Sequence, residues 1–386
     1  MEWKEVRLGD VCNIITGFPF PGKKYSKEGI RVVRGDNVTI GNLRWDTEKD
    51  KRWNEPFDKT EYYSLQANDI VIGMDGSRVG KNKARIKEED LPLLLAQRVA
   101  CVRHNELAEQ DYLYYNIFSK KFIDYVNSIH TGSAIPHISQ KQIEDYKILL
   151  PNLETQRRIA SILSSLDRKI ELNNKINADL EEMAQAIFKN WFVDFEPFKG
   201  GKFVDSELGM IPEGWKVVKL GDFFPVKTGK KDANTASVNG KYPFFSCSQN
   251  ALCTDSYSFD CDAILVAGNG DFNVKWYSGK FDAYQRTYVL IPYNKKLLAL
   301  LYYVVKRNLL TITSKARGSV IRFITKGNLT DFEFAIPRDL ENNEIVDVFK
   351  SINEKIFANI KENSRLSSLR DTLLPRLMSG ELEVPE

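Results

Sequence analysis

The stretch WKEVRLGD at residues 3–10 recurs as WKVVKLGD at residues 215–222. Because an eight-residue echo decides little alone, the test is whether the sequence after it keeps the same order of motifs. The later pairs are Thr16-Gly17 with Thr228-Gly229, DIVIGMDG (69–76) with DAILVAGNG (262–270), Gln97-Arg98 with Gln285-Arg286, LYYNIF (113–118) with LYYVVK (301–306), and TGSAIPHIS (131–139) with ARGSVIRFIT (316–325). This order predicts a tandem duplication of one globular half.

Composition indicates a folded protein with more than one domain. The chain has 386 residues, more than one hydrophobic core usually organises, and 42% of them are hydrophobic. No apolar run approaches the roughly 20 residues that span a bilayer, and residues 1–10 lack the features of a signal peptide. The 5 cysteines form no CxxC pair, which argues against a zinc ribbon or a disulfide framework. We therefore expect a cytoplasmic protein with reduced cysteines.

Charge is unevenly distributed, although the formal net charge is only +3. Residues 1–152 carry 23 basic and 22 acidic side chains, whereas residues 200–339 carry 19 and 13. The positive excess therefore lies mainly in the second half, and its distribution is more informative than the total.

Each half has the pattern of an α+β domain. Short β-rich runs alternate with Gly, Asn and Asp, which are typical of turns. One helical patch interrupts each half, at QDYLYYNIFSKKFIDYV (110–126) and at NKKLLALLYYVVKRNL (294–309).

A long amphipathic helix is predicted after each half. Apolar residues recur every three or four positions from Ile159 to Trp191 and again from Ile345 to Leu373. The predicted N-caps are Asn152 and Asp339, and Pro375 is the predicted stop of the second helix.

Helix length predicts how these two elements pack. A single stripe more often packs on its own domain, but a helix of about 40 residues is roughly 60 Å long, longer than such a domain is wide. We therefore predict an antiparallel coiled coil between two α+β domains, with approximate twofold symmetry. The predicted segments are domain 1–152, central helix 153–199, domain 200–339 and distal helix 340–386.

The sequence lacks familiar catalytic motifs. It has neither a GxxxxGK[ST] phosphate loop nor the Asn-Pro-Pro-aromatic tetrad of adenine methyltransferases. His104, His130 and His137 lie in one half without the spacing of metal ligands or of a nucleophile and its base. The acids of VDFEPFK (193–199) loosely resemble a nuclease cluster, but they lie at a helix end beside a linker. We expect no catalytic residue, cofactor site or metal site.

Two basic runs favour nucleic-acid recognition. GSRVGKNKARIK (76–87) and TSKARGSVIR (313–322) contain no acidic residue. Such a run is commonly only a solvated loop, but these occur once in each half and beside small residues. Lys and Arg bind phosphates, while Arg, Asn and Gln read base edges. The predicted DNA-binding residues are Arg78, Lys81, Lys83, Arg85, Lys87, Lys315, Arg317 and Arg322.

Other repeated or aromatic residues leave two interpretations open. The Gln-Arg pairs at 97–98 and 285–286 suit base contact and a buried structural role equally well. GSAIPH (132–137) and RGSVIR (317–322) suit loop shaping as well as base contact. Trp45, Trp53 and Trp276 suit a core better than a stacking platform.

Across essentially its full length the chain resembles the specificity subunits of type I restriction-modification systems. The resemblance is carried by the repeated openings, by IRVVRGDNVTIGNL (30–43), and above all by LPNLETQRRIASILSSLDRKIELNNKINADLEEMAQAIFKNWFVDF (150–195). That last stretch is similar to the family's central spacer helix. AGNGDFNVKWYSGKFDAYQRTYVL (267–290) resembles a second target-recognition domain, and LRDTLLPRLMSGEL (369–382) resembles the distal spacer.

The resemblance implies a non-catalytic subunit whose two target-recognition domains each bind half of a bipartite, asymmetric site in double-stranded DNA. It implies two methyltransferase subunits that dock on the helices and methylate adenine from S-adenosylmethionine. It also implies ATP-driven restriction subunits that cleave unmethylated DNA. S-adenosylmethionine, ATP and Mg²⁺ are expected on those partners and not on this chain. Because half-sites one turn apart are separated by roughly 34–36 Å, the helices would act as a ruler.

Two rival hypotheses remain open from the sequence. The chain could be a two-domain coiled-coil scaffold that binds proteins and no nucleic acid, which a salt-dependent DNA-binding assay would test. It could also be the specificity subunit of a related methyltransferase-only or two-sided cutting system, which the neighbouring genes would distinguish.

Overall fold

The computed structural model describes residues 3–46, 48, 50–56, 58–131, 136–237 and 240–384. The chain divides into two compact units, of which unit 1 comprises residues 1–171 with 363–386 and unit 2 comprises residues 172–362. Each unit therefore takes one globular half together with part of both long helices. The four segment boundaries drawn from the sequence stay a prediction.

Unit 1 contains the first repeat, in which short strands precede a long helix that continues into unit 2. In chain order the elements are β1 (Lys4–Arg7), α1 (Leu8–Val11), β2 (Cys12–Thr16), β3 (Ile30–Val33), β4 (Ile40–Gly41), β5 (Arg52–Trp53), α2 (Thr60–Tyr63), β6 (Ile70–Gly73), β7 (Lys83–Arg85), β8 (Leu93–Leu95), β9 (Val99–His104), α3 (Gln110–Phe118), α4 (Lys120–Ile129), α5 (Gln140–Glu144), β10 (Lys147–Leu150) and α6 (Leu153–Phe192). The strands form a five-stranded sheet β2-β9-β6-β7-β4, a three-stranded sheet β5-β3-β8 and the pair β1-β10.

The five-stranded sheet of unit 1 is covered on both faces. Successive side chains of a strand point to opposite faces, so Ile70 and Ile72 of β6 pack with Leu113 of α3. Val71 points the other way and packs with Leu95 of the three-stranded sheet. The apolar alternation of β6 therefore serves two cores.

Unit 2 contains the second repeat, which has a larger main sheet. In chain order its elements are β11 (Phe203–Val204), β12 (Ile211–Pro212), β13 (Trp215–Lys219), β14 (Val226–Thr228), β15 (Tyr242–Phe245), β16 (Leu252–Thr254), β17 (Phe259–Ala267), β18 (Val274–Ala283), β19 (Thr287–Leu290), α7 (Leu298–Arg307), α8 (Leu309–Ser314), α9 (Lys326–Thr330), β20 (Glu333–Pro337) and α10 (Glu344–Met378). The sheets are β14-β19-β17-β18-β15-β16, β13-β20 and β11-β12. The order β14-β19-β17-β18 repeats the order β2-β9-β6-β7 of unit 1.

The repeated opening sequence closes each globular half in the same way. In unit 1, β1 pairs antiparallel with β10, and in unit 2 β13 pairs antiparallel with β20. Leu8 and Leu220, which follow these strands, are both fully buried. The carboxylate of Asp10 accepts the backbone N–H of residue 7, and that of Asp222 accepts the backbone N–H of residue 219. The LGD triplet is therefore a turn with a buried leucine and a capping aspartate.

The two long helices run antiparallel within each unit. Side-chain pairs between α6 and α10 include Asp167–Arg370 in unit 1, and Asn177–Asn359 and Phe188–Phe349 in unit 2. In unit 2, the partner on α10 falls from residue 359 to residue 349 as the residue on α6 rises from 177 to 188, so the two helices run in opposite directions. In unit 1 the earlier residues Ile159 and Leu163 likewise share a core with Leu377. The predicted α+β class with two long antiparallel helices is confirmed.

The helix ends agree only partly with the predictions. Asn152 caps α6 as predicted, because its Oδ1 accepts the backbone N–H of Thr155 at 2.8 Å. The predicted cap Asp339 is wrong, since α10 begins later and the Oδ1 of Asn343 accepts the N–H of Ile345 at 3.0 Å. A 3₁₀ turn with a buried leucine at residue 340 intervenes and delays the helix.

Pro375 does not end the second long helix. α10 continues to Met378, so the proline lies inside its last turns. The N–H of Ser379 then donates to the carbonyl of Pro375 at 3.1 Å. No helix within the described ranges combines the length and the apolar character needed to cross a membrane.

Candidate nucleic-acid interface

Three loops meet at one end of the five-stranded sheet in unit 1. They are the residues after β6, the turn between β8 and β9, and the residues before α5. The backbone N–H of Met74 donates to the carbonyl of Arg98 at 2.9 Å, and the N–H of Ile138 donates to the carbonyl of Met74 at 2.8 Å. The N–H of Gly76 donates to the carbonyl of Pro136 at 3.0 Å. These bonds fix the three loops to one another.

Unit 2 repeats the arrangement, bond for bond. The N–H of Gly268 donates to the carbonyl of Arg286 at 2.8 Å, and the N–H of Ile324 donates to the carbonyl of Gly268 at 2.9 Å. The N–H of Gly270 donates to the carbonyl of Arg322 at 3.1 Å. We call this arrangement the three-loop edge, formed by residues 74–76, 97–98 and 136–138 in unit 1 and by residues 268–270, 285–286 and 322–324 in unit 2.

The Gln-Arg pairs lie on the three-loop edge with exposed side chains. Gln97, Arg98, Gln285 and Arg286 are all exposed, so the alternative of a buried structural role is wrong. Arg98 has a φ of 70°, a left-handed conformation that is uncommon for a residue with a side chain. The Nε2 of Gln285 donates to Asp232 at 2.7 Å. Each unit thus presents one arginine from a backbone-locked turn.

The first predicted basic run begins on the surface and then turns into the domain. Arg78 and Lys81 are exposed on the loop between β6 and β7. Lys83, in contrast, is only 3% exposed. Its Nζ donates to the carbonyl of Gly80 at 2.9 Å and lies over the rings of two phenylalanines of α3 and α4. Burial lowers the pKa of Lys83 to about 7, so the expectation of a surface cation here is wrong.

The last two cations of this run are bound to acids from elsewhere in unit 1. Arg85 is half-buried, and its guanidinium donates to the carboxylate of Asp111. Lys87 is exposed, and its Nζ donates to Glu171 of α6 at 3.0 Å. The structure therefore does not bring Arg85 and Lys87 to the three-loop edge, and both are already paired.

The second predicted basic run stays at the surface. Lys315, Arg317 and Arg322 are all exposed. Arg317 forms an antiparallel bridge with Phe323 through two backbone hydrogen bonds of 2.8 and 2.7 Å. The Nη2 of Arg322 donates to the carbonyl of Thr313 at 3.0 Å. Arg317 and Arg322 therefore flank a hairpin that belongs to the three-loop edge.

The loop segments and tryptophans whose roles the sequence left open lie in different surroundings. Residues 132–135 of GSAIPH lie outside the described residues, whereas RGSVIR forms the hairpin of unit 2. Trp53 is buried, as expected for a core residue. Trp45 is half-buried beneath the guanidinium of Arg31, and Trp276 is half-buried against Phe357. The tryptophans therefore pack within their own units.

The described residues contain no group of three or more His, Cys, Asp or Glu side chains that could hold a metal ion. The acids of VDFEPFK do not converge either. Asp194 accepts a hydrogen bond from Lys189, and Glu196 accepts one from Lys199 at 2.5 Å. These carboxylates serve local ion pairs.

Comparison with known proteins identifies a related family. The model of the type I restriction modification DNA specificity domain matches residues 1–182 and 212–366. The chain is 40% identical over 178 residues to the EcoDI specificity subunit of Escherichia coli, an alignment that covers 45% of this chain and 40% of that protein. It is 30% identical over 305 residues to the MjaIX specificity subunit of Methanocaldococcus jannaschii, covering 72% and 70% of the two chains. These alignments therefore span 40% of one relative and 70% of the other.

A solved structure shares the fold. The S subunit of a type I restriction-modification system from M. genitalium superposes with a TM-score of 0.63 at 15% identity, covering 100% of this chain and 97% of that one. At that identity the likeness concerns the fold alone.

Proposed function

The chain belongs to the type I restriction-modification DNA specificity family, and from this premise we propose that it reads a bipartite, asymmetric site in double-stranded DNA. Each globular half binds one half-site. The three-loop edge carries this proposal, because the same backbone hydrogen bonds in both units present Arg98 and Arg286 toward solvent. Arg side chains both neutralise phosphates and read guanine edges.

The proposed interface is narrower than the two basic runs. It comprises the exposed cations on or beside the three-loop edge, which are Arg78, Lys81 and Arg98 in unit 1 and Arg286, Lys315, Arg317 and Arg322 in unit 2. Lys83, Arg85 and Lys87 are left out, because the first is buried and the other two donate hydrogen bonds to carboxylates. The Nε of Arg98 lies 3.9 Å from a carboxylate oxygen of Asp75, which is too far for a hydrogen bond. The two edges differ in their side chains, which suits an asymmetric site.

We propose that the chain itself is not a catalyst. Two methyltransferase subunits would dock on α6 and α10 and methylate adenine, and restriction subunits would cleave unmethylated DNA. S-adenosylmethionine, ATP and Mg²⁺ would be bound by those partners. The absence of phosphate-loop and methyltransferase motifs from the sequence supports this division.

Methylome sequencing tests the proposal. Cells carrying this chain with its methyltransferase are compared with cells in which residues 200–339 are exchanged for another target-recognition domain. One half-site of the methylated motif should change and the other should persist. A motif that changes in both halves, or in neither, contradicts the assignment of one half-site to each globular half.

A direct binding assay distinguishes this function from a protein scaffold. The purified complex of this chain with its methyltransferase should bind a DNA duplex that carries the motif found by methylome sequencing. Its affinity should fall as the salt concentration rises, since phosphate contacts release counterions. Binding to partner proteins without any affinity for DNA would support the scaffold instead.

A further inference from the structure

The hairpin Arg317–Phe323 of unit 2 has a rigid base. Arg317 and Phe323 pair through two backbone hydrogen bonds, and Phe323 also bridges to Asn269 after β17. The next residue, Ile324, is only 2% exposed and anchors the strand in the core. Gly318 has a φ of 101°, and a Cβ there would lie 2.3 Å from the carbonyl oxygen of Ile321. Glycine is therefore required for this turn.

The tip of this rigid hairpin is apolar and faces solvent. Val320 is 93% exposed and Ile321 is 60% exposed. Side chains this exposed bury little surface against their own unit and contribute little to its hydrophobic stabilisation. A preorganised turn that holds two branched apolar side chains in water is typical of a contact surface.

The surroundings of the tip indicate what it contacts. Lys315, Arg317, Arg322 and Lys326 lie in the segment 315–326, which contains no acidic residue. The acid on the loop that follows β17, Asp271, accepts a hydrogen bond from Gln249 at 2.5 Å. The pattern is cation, apolar pair, cation along one hairpin. It matches DNA, in which anionic phosphates flank the apolar faces of stacked bases.

We propose that Val320 and Ile321 form an apolar wedge that enters the base stack of the DNA half-site read by unit 2. The flanking arginines hold the two phosphate backbones, and the branched side chains partly unstack a base step, as apolar wedges do in other DNA-bending proteins. Specificity then arises partly from how easily a given step unstacks. This proposal rests on the proposed DNA-reading function.

The test uses the complex of this chain with its methyltransferase and a duplex carrying its methylated motif. 2-Aminopurine, which pairs with thymine, replaces one adenine at a time in or next to the half-site assigned to unit 2, except the adenine that is methylated, so that flipping of that adenine does not contribute. Unstacking raises 2-aminopurine fluorescence. The wild-type complex should raise it at one step, and the double variant Val320→Ser with Ile321→Ser should abolish most of the rise.

Affinity provides the second readout. The double variant should bind the motif on the order of tenfold more weakly, while its affinity for random duplex and its salt dependence stay unchanged, because all the cations remain. The matched control is Tyr293→Ser. Tyr293 is 73% exposed and follows the end of β19 opposite to Arg286, so this variant should behave as wild type in both readouts.

The remaining outcomes separate the wedge from the DNA-reading function. If the wild-type complex binds its motif without any rise in fluorescence, or if the double variant keeps both signal and affinity, the wedge is wrong while DNA reading stands. If the double variant instead stops co-purifying with the methyltransferase, the tip is a protein contact and the wedge is also wrong. If the wild-type complex has no affinity for the motif, both proposals fail.

Discussion

The two globular repeats share a backbone and differ in the side chains it presents. At equivalent points of the three-loop edge, Asp75 of unit 1 corresponds to Asn269 of unit 2, and Pro136 corresponds to Arg322, although the backbone hydrogen bonds are the same. Hydrogen bonds between main-chain groups do not depend on side-chain identity. A duplicated domain can therefore keep its edge intact while each copy acquires its own reading residues.

The sheets show the same division between shared and variable parts. Both units share the order of four strands, β2-β9-β6-β7 and β14-β19-β17-β18, and the three-loop edge lies at one end of these strands. The further strands that join each sheet differ between the units. In unit 1, β3 joins a separate three-stranded sheet, whereas in unit 2 β15 pairs in parallel with β18 of the main sheet. The common frame is thus limited to the strands that position the loops.

The largest expected effect is a loss of stability when either of two glycines at equivalent positions, Gly17 and Gly229, is replaced by alanine. A Cβ on Gly17 would lie 2.0 Å from the carbonyl oxygen of Ala96, and one on Gly229 would lie 2.1 Å from that of Ala283. Because these neighbours are backbone atoms, Gly17→Ala and Gly229→Ala should each lower the free energy of unfolding by about 3 kcal/mol. Urea titration measures this.

The matched control for these variants is Gly22→Ala, because a Cβ on Gly22 meets no atom within 4 Å in the described part of the chain. It should change stability by less than about 0.5 kcal/mol. Equal destabilisation by Gly17→Ala and Gly22→Ala would show that the close approach to the β8–β9 turn does not constrain the frame.

Substitution of the arginine in either Gln-Arg turn should affect recognition of one half-site and not of the other. Arg98→Ala and Arg286→Ala should each weaken binding of the methylated motif by about 1–3 kcal/mol and relax recognition in one half-site only. Binding titrations over a salt series, with methylome sequencing, measure both effects. Lys87→Ala is the control in unit 1, because Lys87 is paired with Glu171, and it should leave binding unchanged. Loss of both half-sites in either arginine variant would contradict the independence of the two edges.

A buried lysine of unit 1 and a half-buried lysine of unit 2 have different partners. Lys231 of unit 2 lies 2.9 Å from the fully buried carboxylate of Asp282, whereas the described contacts of Lys83 are a carbonyl and two rings. Burial lowers the pKa of Lys83 to about 7 from an ordinary value of 10.5. Between these pH values the unfolded chain binds a proton that the folded chain does not, so stability rises with pH.

Lys83→Met tests this linkage. Below pH 7 the wild type has the full cost of burying an ammonium group, and above that pH the cost is relieved by up to about 1.4 kcal/mol per pH unit. The unfolding free energy of wild type relative to Lys83→Met should therefore rise from pH 7 to pH 10. Urea titrations at several pH values measure it, and parallel pH curves for the two proteins would contradict it.

The periodicity and the repeats of the sequence predicted the domains and the long helices. Whether an individual cation is free or paired depends instead on residues that are distant in sequence. The apolar stripe from Ile159 correctly predicted α6, and Asn152 was correctly predicted as its N-cap, because both signals are local in sequence. Arg85 and Lys87 appeared free of acids in their own run, yet Asp111 and Glu171 reach them in the fold. No local pattern contains that information.

The burial of Lys83 escaped sequence reasoning for a related reason. Alternation along β7 predicts one polar face, but both faces of this sheet are covered, so the polar face lies inside. The exposure of the Gln-Arg pairs, in contrast, has a usable signal in the sequence. A polar pair that contains an arginine, repeated in both halves beside turn residues, is better explained by an exposed turn than by a core, since charged side chains are rarely buried unpaired.

The smallest expected difference concerns the repeated LYY motif, which ties each globular half to α6. The hydroxyl of Tyr115 donates to Asp167 at 2.7 Å, and that of Tyr303 donates to Glu181 at 3.2 Å. Burial raises the pKa of both tyrosines, so each hydroxyl remains a donor. A hydrogen bond to a charged group contributes about 1.5–3 kcal/mol when it is well formed.

Tyr115→Phe should therefore cost about 1.5 kcal/mol and Tyr303→Phe about 1 kcal/mol, because the second bond is longer. Each acid keeps an ion pair in its variant, Asp167 with Arg370 and Glu181 with Lys306. Thermal unfolding of the two variants and of the exposed control Tyr293→Phe measures the difference. Since the motif is identical in sequence, a difference would arise from its surroundings, chiefly from the helix acid opposite it. Equal losses for the two variants would mean that the tyrosine hydroxyl's contribution is independent of that acid, and the frame would then be symmetric in energy as well as in backbone.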